Sequence, residues 1–111
     1  MSGMRLPQVS HLQFAVLGAL LPGEQRGREL RQKLKQLRVR HSGPAFYQMM
    51  ARLEDAGLIE GWYTQKVVSG QIIKERRYAI TAAGRRAWQE ARAFYMELIR
   101  FAGASEGLAH A

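Results

Sequence analysis

"SGPAFYQMMARLEDAGLI", residues 42–59, is the stretch on which the fold turns. Its second half reads as a plain amphipathic helix. Met50, Leu53 and Leu58 face a core, Arg52, Glu54 and Asp55 face water, and Gly57 marks the stop. Its first half is less ordinary. Ser42 is a natural N-cap, and Pro44 stands in the first turn, where a missing N–H costs nothing. Phe46 points inward. Tyr47 and Gln48 do not, and the outer side continues through Ala51, Arg52 and Asp55 with Ala45 beside it. A helix built this way, from about Gly43 to Ala56, presents its own N-terminus, with free N–H groups and the positive end of its dipole, to something outside the chain.

Upstream, Gly27 to Leu37 makes a shorter helix with a narrow seam of Leu30, Leu34 and Leu37. Most of its other positions are cationic. Before it, Ser10 caps a helix over His11 to Leu21, ended by Pro22-Gly23. Leu12, Ala15, Val16, Ala19 and Leu20 recur there at helical spacing, and Phe14, Leu17 and Leu21 widen the stripe, so this helix is expected to be buried. Residues 1–9, with Gly3 and Pro7, read as a flexible arm.

Downstream the period changes from 3.6 to 2. Leu58 to Val67 and Ile72 to Thr81 are rich in β-branched and aromatic residues, with a turn signal at Val68-Ser69-Gly70-Gln71. A two-residue Ser69-Gly70 turn pairs Val67 with Ile72, Tyr63 with Arg76, Trp62 with Arg77 and Ile59 with Ile80. It predicts a cation–π contact between Trp62 and Arg77, worth about 0.5–1 kcal/mol. Thr81 then caps a last helix to about Ala102, on which Ala87, Trp88, Ala91, Phe94, Tyr95, Leu98, Ile99 and Ala102 form a face too large and aromatic to stay wet. The segmentation is a flexible arm over 1–9, a compact unit over 10–81, a C-terminal helix over 82–102 and a flexible tail over 103–111.

The 111 residues carry a net charge of +8 and a pI near 10.6. Partners of a chain this basic are polyanions. The charge is concentrated: Arg26, Arg28, Arg31, Lys33, Lys35, Arg38 and Arg40 are opposed between residues 26 and 40 only by Glu29. A second group is Lys66, Lys74, Arg76 and Arg77. With no cysteine there is no disulfide framework, zinc finger or thiol nucleophile. His11, His41 and His110 lack metal-ligand spacing, and no carboxylate pair, nucleophile elbow or phosphate-cradling glycine loop is present. Neither an enzyme nor a cofactor or metal is expected. The longest apolar run, Phe14 to Leu21, is too short to span a membrane and lacks the flanks of a signal peptide. A cytoplasmic, nucleoid-associated protein is the expectation.

Three helices, a hairpin and a further helix define the fold class: mainly α with a small β-hairpin, a winged helix-turn-helix plus a C-terminal helix. In helix-turn-helix proteins the second helix of the motif enters the major groove, and its N-terminal residues meet base edges. On that scheme Ser42, Ala45, Tyr47 and Gln48 lie at the reading end, and Arg52, farther along the helix, meets phosphate. Arg28, Arg31, Lys35 and Arg40 meet phosphates, and Lys66, Lys74 and Arg76 reach DNA from the wing.

The stretches "FAVLGAL" (14–20), "RGREL" (26–30), "SGPAFYQMMARLEDAGLIEG" (42–61) and "RRYAITAAGRRAW" (76–88) resemble the PadR-like family of transcriptional regulators. Gly27, Glu29 and Leu30 match its Gly-Tyr-Glu-Leu motif. Ser42, Tyr47, Arg52, Leu53, Glu54, Gly57, Leu58 and Ile59 match its Ser-Pro-Gly-Thr-Leu-Tyr-Pro segment and the Arg-Leu-Glu-x-x-Gly-Leu-Ile run that follows. Tyr78, Thr81 and Gly84 match its Tyr-x-Leu-Thr-x-x-Gly signature. The resemblance implies a DNA-binding homodimer, here a repressor, joined through the C-terminal helix packed on the first. Phe14, Leu17, Trp88, Ala91, Phe94, Tyr95, Leu98 and Ile99 would form that seam. It also admits a flat hydrophobic small-molecule effector between subunits. Departures fall at the reading end. Arg28 replaces the usual Tyr, and Pro44, Ala45 and Gln48 replace the usual Gly, Thr and Pro. The wing tip is Ser69-Gly70-Gln71 rather than Gly-Arg-Pro. The competing reading is a winged helix that binds an acidic protein partner. RNA binding comes third, with only Tyr47, Trp62 and Tyr63 as stacking platforms.

Overall fold

The computed structural model describes residues 6–110, with side chains through Ala104. The expected arm and tail therefore lie partly outside the described residues, at 1–5 and 111. The elements are α1 (His11–Leu20), β1 (Gln25–Arg26), α2 (Gly27–Gln36), α3 (Gly43–Asp55), β2 (Ile59–Val68), β3 (Gln71–Ile80) and α4 (Ala82–His110).

Each helix begins or ends where local chemistry dictates. Ser10 Oγ accepts from the Gln13 N–H at 3.1 Å while Gln13 Oε1 accepts from the Ser10 N–H at 3.0 Å, a reciprocal capping box. Ser42 Oγ accepts from the Ala45 N–H at 3.1 Å. At the other end of α3 the Leu58 N–H reaches the Leu53 carbonyl at 3.0 Å and the Gly57 N–H the Glu54 carbonyl at 2.9 Å. This is a Schellman close, with Gly57 at φ +74° supplying the left-handed residue. The end of α2 is closed the same way, Val39 N–H to Leu34 carbonyl and Arg38 N–H to Lys35 carbonyl, but there the left-handed residue is Arg38 at φ +60°. A side chain at that position costs about 1–2 kcal/mol relative to glycine.

The three helices α1–α3 enclose a core of Val16, Leu17, Leu20, Leu30, Leu34, Phe46, Met50 and Leu53. Leu37, read as the end of the α2 seam, is 65% exposed, because the helix closes one residue earlier and turns it outward. Val9, read as part of a flexible arm, is buried in the core.

The hairpin register is as the turn predicts: Val67 pairs with Ile72, Tyr63 with Arg76, Trp62 with Arg77 and Ile59 with Ile80. Ser69 (φ +52°) and Gly70 (φ +78°) both take positive φ, which suits a type I′ loop to the strand twist. Two residues that propensity could not flag as a strand add to it. Gln25 and Arg26 pair with Tyr78 and Arg77, giving a three-stranded antiparallel sheet in the order β1-β3-β2.

Tyr78, Thr81 and Gly84 fix the start of α4. Tyr78 is buried against Gly27, Thr81 Oγ1 donates to the Gly57 carbonyl at 2.7 Å and accepts from the Gly84 N–H at 3.0 Å, and Gly84 lies against Leu58. A Cβ at Gly84 would fall 2.0 Å from the Leu58 carbonyl oxygen, so no larger residue fits without moving backbone. The last helix does not stop at Ala102. It continues through Gly103 to His110, in place of the flexible tail expected from 103. Among the described residues no helix is long and apolar enough to cross a membrane.

Candidate nucleic-acid interface

The side of α3 that faces away from the core carries Ala45, Tyr47, Gln48, Ala51 and Arg52, all exposed, along with Asp55. Phe46, Met49, Met50 and Leu53 hold the opposite side in the core. The helix is thereby anchored along its length while its capped N-terminus stays open. Ser42 is exposed too, but its hydroxyl is engaged in the cap.

Beside this end runs α2. Arg28, Arg31, Gln32, Lys35 and Tyr47 line one cleft of about 360 Å3. Lys35, Arg38, Val39, Arg40 and His41 line its neighbour. The Arg31 guanidinium lies over Gly43, at the first turn of α3, where a glycine Cβ would be 3.4 Å from it. His41 packs on Phe46 with ring centroids 5.7 Å apart, and its Nδ1 lies 3.1 Å from the Val39 carbonyl. On the other flank, Arg26, Gly27, Arg28, Tyr47, Lys74, Glu75 and Arg76 surround a smaller cleft, so Tyr47 stands between the α2 cations and the wing. Arg28, Arg31, Lys35, Arg40, Arg52 and Lys74 form no ion pair among the described residues.

The remaining wing cations, among them Arg76 and Lys66 that were expected to reach DNA, are engaged by carboxylates of the chain. Arg76 Nη2 bonds the Glu54 carboxylate at 2.6 Å and lies over the rings of Tyr63 and Tyr78 at 4.6 and 5.7 Å. It is a brace between α3 and the wing rather than a free phosphate donor. Gly61 makes room for it: a Cβ there would stand 1.8 Å from Glu54 Oε1. Burial is the largest influence and works against the Arg76 charge, but the bond to Glu54, the Glu54 charge and Tyr78 together outweigh it and raise the pKa. Burial also raises the Tyr78 phenol, with Arg76 opposing. Lys66 bonds Glu75 at 2.9 Å, and Arg26 bridges Glu29 at 2.6 Å and Glu75 at 3.3 Å. Lys66 foremost, with Arg26, holds the Glu75 carboxyl below the usual carboxylate range, and Arg26 does the same for Glu29. Arg77 reaches Glu24 at 3.6 Å, so the cation–π contacts on the wing belong to Arg76, not to Arg77 with Trp62. The role of Arg26 was missed because it depends on β1, too short to leave a sequence pattern.

The residues of the expected subunit seam divide in two. Leu17 and Ala91 are fully buried within the single chain and offer no surface. Phe14 stacks on Trp88 and tilts against Tyr95, whose hydroxyl meets His11 Nδ1 at 2.7 Å, so this cluster closes α1 onto α4 of the same chain. What stays uncovered lies farther along α4: Met96, Leu98, Ile99 and Phe101 are exposed, and Phe94, Leu98 and Phe101 with Glu97 line an apolar cleft.

The family model for the transcriptional regulator PadR-like family matches residues 16–90. The chain belongs to this family. A PadR-like transcriptional regulator from Bacillus cereus matches with a TM-score of 0.67 at 26% identity, covering 84% of this chain and 88% of that one. A PadR family regulator from Clostridium difficile matches with a TM-score of 0.75 at 15% identity, over 86% and 97%. Bacillus subtilis PadR, solved in complex with operator DNA, matches with a TM-score of 0.59 at 26% identity, over 78% of this chain and 47% of its own. Comparison with curated proteins gave no match. In this chain Tyr78, Thr81 and Gly84 build the scaffold, and Arg28, Pro44, Ala45 and Gln48 stand exposed on the open side of α2 and α3.

Proposed function

We propose that this PadR-like regulator binds double-stranded DNA sequence-specifically as a homodimer and represses transcription. The end of α3 would sit in the major groove and the hairpin on adjacent DNA. One observation carries the reading: the exposed N-terminal end of α3, with Ala45 and Gln48, stands beside a row of Arg28, Arg31 and Lys35 that has no ion pair among the described residues. Such a row suits phosphates, and an open helix end beside it suits base edges. The operator complex of Bacillus subtilis PadR supports it.

The test is selection of bound duplexes from a random-sequence pool, followed by affinity against salt. An enriched motif and a log–log slope of several units are expected, at about 0.9 per neutralised phosphate. Recovery of no duplex above background would end the reading. The dimer is argued from Phe94, Leu98 and Phe101, an apolar stripe at i, i+4, i+7 spacing on α4. A monomeric mass at micromolar concentration counts against it. Repression follows if a dimer occupying a promoter blocks access to it. Transcription in vitro from a promoter carrying the selected motif should fall as protein is added, and an increase would reverse the sign.

A further inference from the structure

The wing ends in an apolar tip. Val67 is 71% and Ile72 is 69% exposed, and they are direct cross-strand partners next to the Ser69-Gly70 turn. Because side chains alternate along a strand, Val67 and Ile72 share a face with the Gln65–Lys74 and Tyr63–Arg76 pairs nearer the base. That face adjoins the open side of α2 and α3, since Lys74 and Arg76 line one cleft with Arg28 and Tyr47. The aliphatic pair is therefore the outward continuation of the candidate DNA-facing surface. It lies where hydrogen-bond donors to phosphate would be expected and supplies none.

We infer that Val67 and Ile72 form a wedge that presses into the minor groove and bends the duplex. The inference rests on the DNA-binding reading above and goes beyond it. Reach is sufficient. Val67 stands eight residues beyond Ile59, about 26 Å along the strand, and the minor groove flanking an occupied major groove is about 17 Å away. Width is what forces the distortion. Two strands about 4.8 Å apart, with side chains, exceed a groove about 6 Å wide. A tip that enters must open the groove, and apolar side chains do this by unstacking a base step and kinking DNA away from themselves. Charge permits the approach: Lys74 has no ion pair among the described residues, and the single carboxylate on the outer half of the hairpin, Glu75, is neutralised by Lys66 and Arg26.

The test uses the full chain and a doubly labelled 30-base-pair duplex taken from the random-sequence selection. Wild-type protein should raise energy transfer between the duplex ends, reporting a bend of some tens of degrees. The double variant Val67→Thr/Ile72→Thr keeps β-branched residues at both positions, so the hairpin should persist and the melting temperature should stay put. It should bind roughly tenfold or more weakly, with an unchanged salt slope and without the bend. Equal bending and affinity in both proteins overturns the wedge and leaves DNA binding intact. A variant that binds DNA as before but loses self-association makes the tip an interface between copies, which also overturns it. Failure of the wild type to hold any duplex brings down the DNA-binding reading first, and the wedge with it.

Discussion

Two sets of cations in this molecule are employed in opposite ways. Across β1 and the wing, Arg26, Lys66, Arg76 and Arg77 are matched by Glu24, Glu29, Glu54 and Glu75, four carboxylates for four cations. On α2 and the loop after it, Arg28, Arg31, Lys35 and Arg40 have no such partner among the described residues. The four paired wing cations cancel against their carboxylates, so the net charge of +8 comes from elsewhere in the chain. One set braces the wing, Arg76 tying it to α3, Arg26 to β1 and α2, and Arg77 to the loop before β1. The other lines open clefts beside the N-terminal end of α3. Composition alone treats both alike.

The largest effect that can break this contrast comes from the unpaired set. Arg31→Ala with Lys35→Ala should weaken binding to every duplex alike. Two cations lost per chain, at about 0.9 each, should lower the log–log salt slope by up to about 1.8 for each chain bound. Stability should move by less than about 1 kcal/mol. A salt slope that stays put would show that α2 does not touch phosphate.

The converse experiment acts on the paired set. Glu54→Ala leaves the half-buried Arg76 guanidinium without its acceptor and should cost about 1–3 kcal/mol in denaturant melts. The salt slope of the folded variant should be unchanged. A fall in slope would mean that Arg76 was a phosphate ligand after all.

Gln48→Ala sharpens the comparison from a third side, because it removes no charge and no packing. It should change which sequences are selected, at about 1–3 kcal/mol per lost base contact, with stability and slope both intact. The same motif emerging from selection would move the reading face elsewhere.

The smallest effect is acid sensitivity. Glu29 and Glu75 are held below their usual pKa by Arg26 and Lys66, so their pairs stabilise the fold fully above the ordinary glutamate value. That contribution is lost as pH falls below about 4.3 and through the lowered values. Melting temperatures followed from pH 6 to 3 should decline there, and less so in high salt, which screens exposed pairs. Lys66→Ala should shrink the decline.

Most of the frame was legible because it is set locally. Ser42 caps α3 through an atom three residues away, and a two-residue turn fixes the whole hairpin register. The failures share a cause as well. Arg76 meets Glu54 across 22 residues, and β1 exists only because β3 is there to pair with it. No periodicity carries either fact. Leu37 fits the heptad-like seam, but the helix closes one residue before it, so its side chain turns out to solvent. Gly103 suggested a stop, and a mid-helix glycine does cost about 1 kcal/mol, yet the helix runs on. At the candidate site, the exposed N-terminal end of α3 was visible in the pattern. The division of cations into braces and free donors was not.

The 29-residue α4 extends about 43 Å at 1.5 Å per residue, well past the aromatic cluster that pins its first half. A helix transmits angle as well as distance. One residue inserted after Tyr95 would rotate the Phe94–Leu98–Phe101 stripe out of phase by about 100° beyond the insertion, whereas four would restore it to within about 40°. Self-association should then come and go with the phase of the insertion rather than with its length.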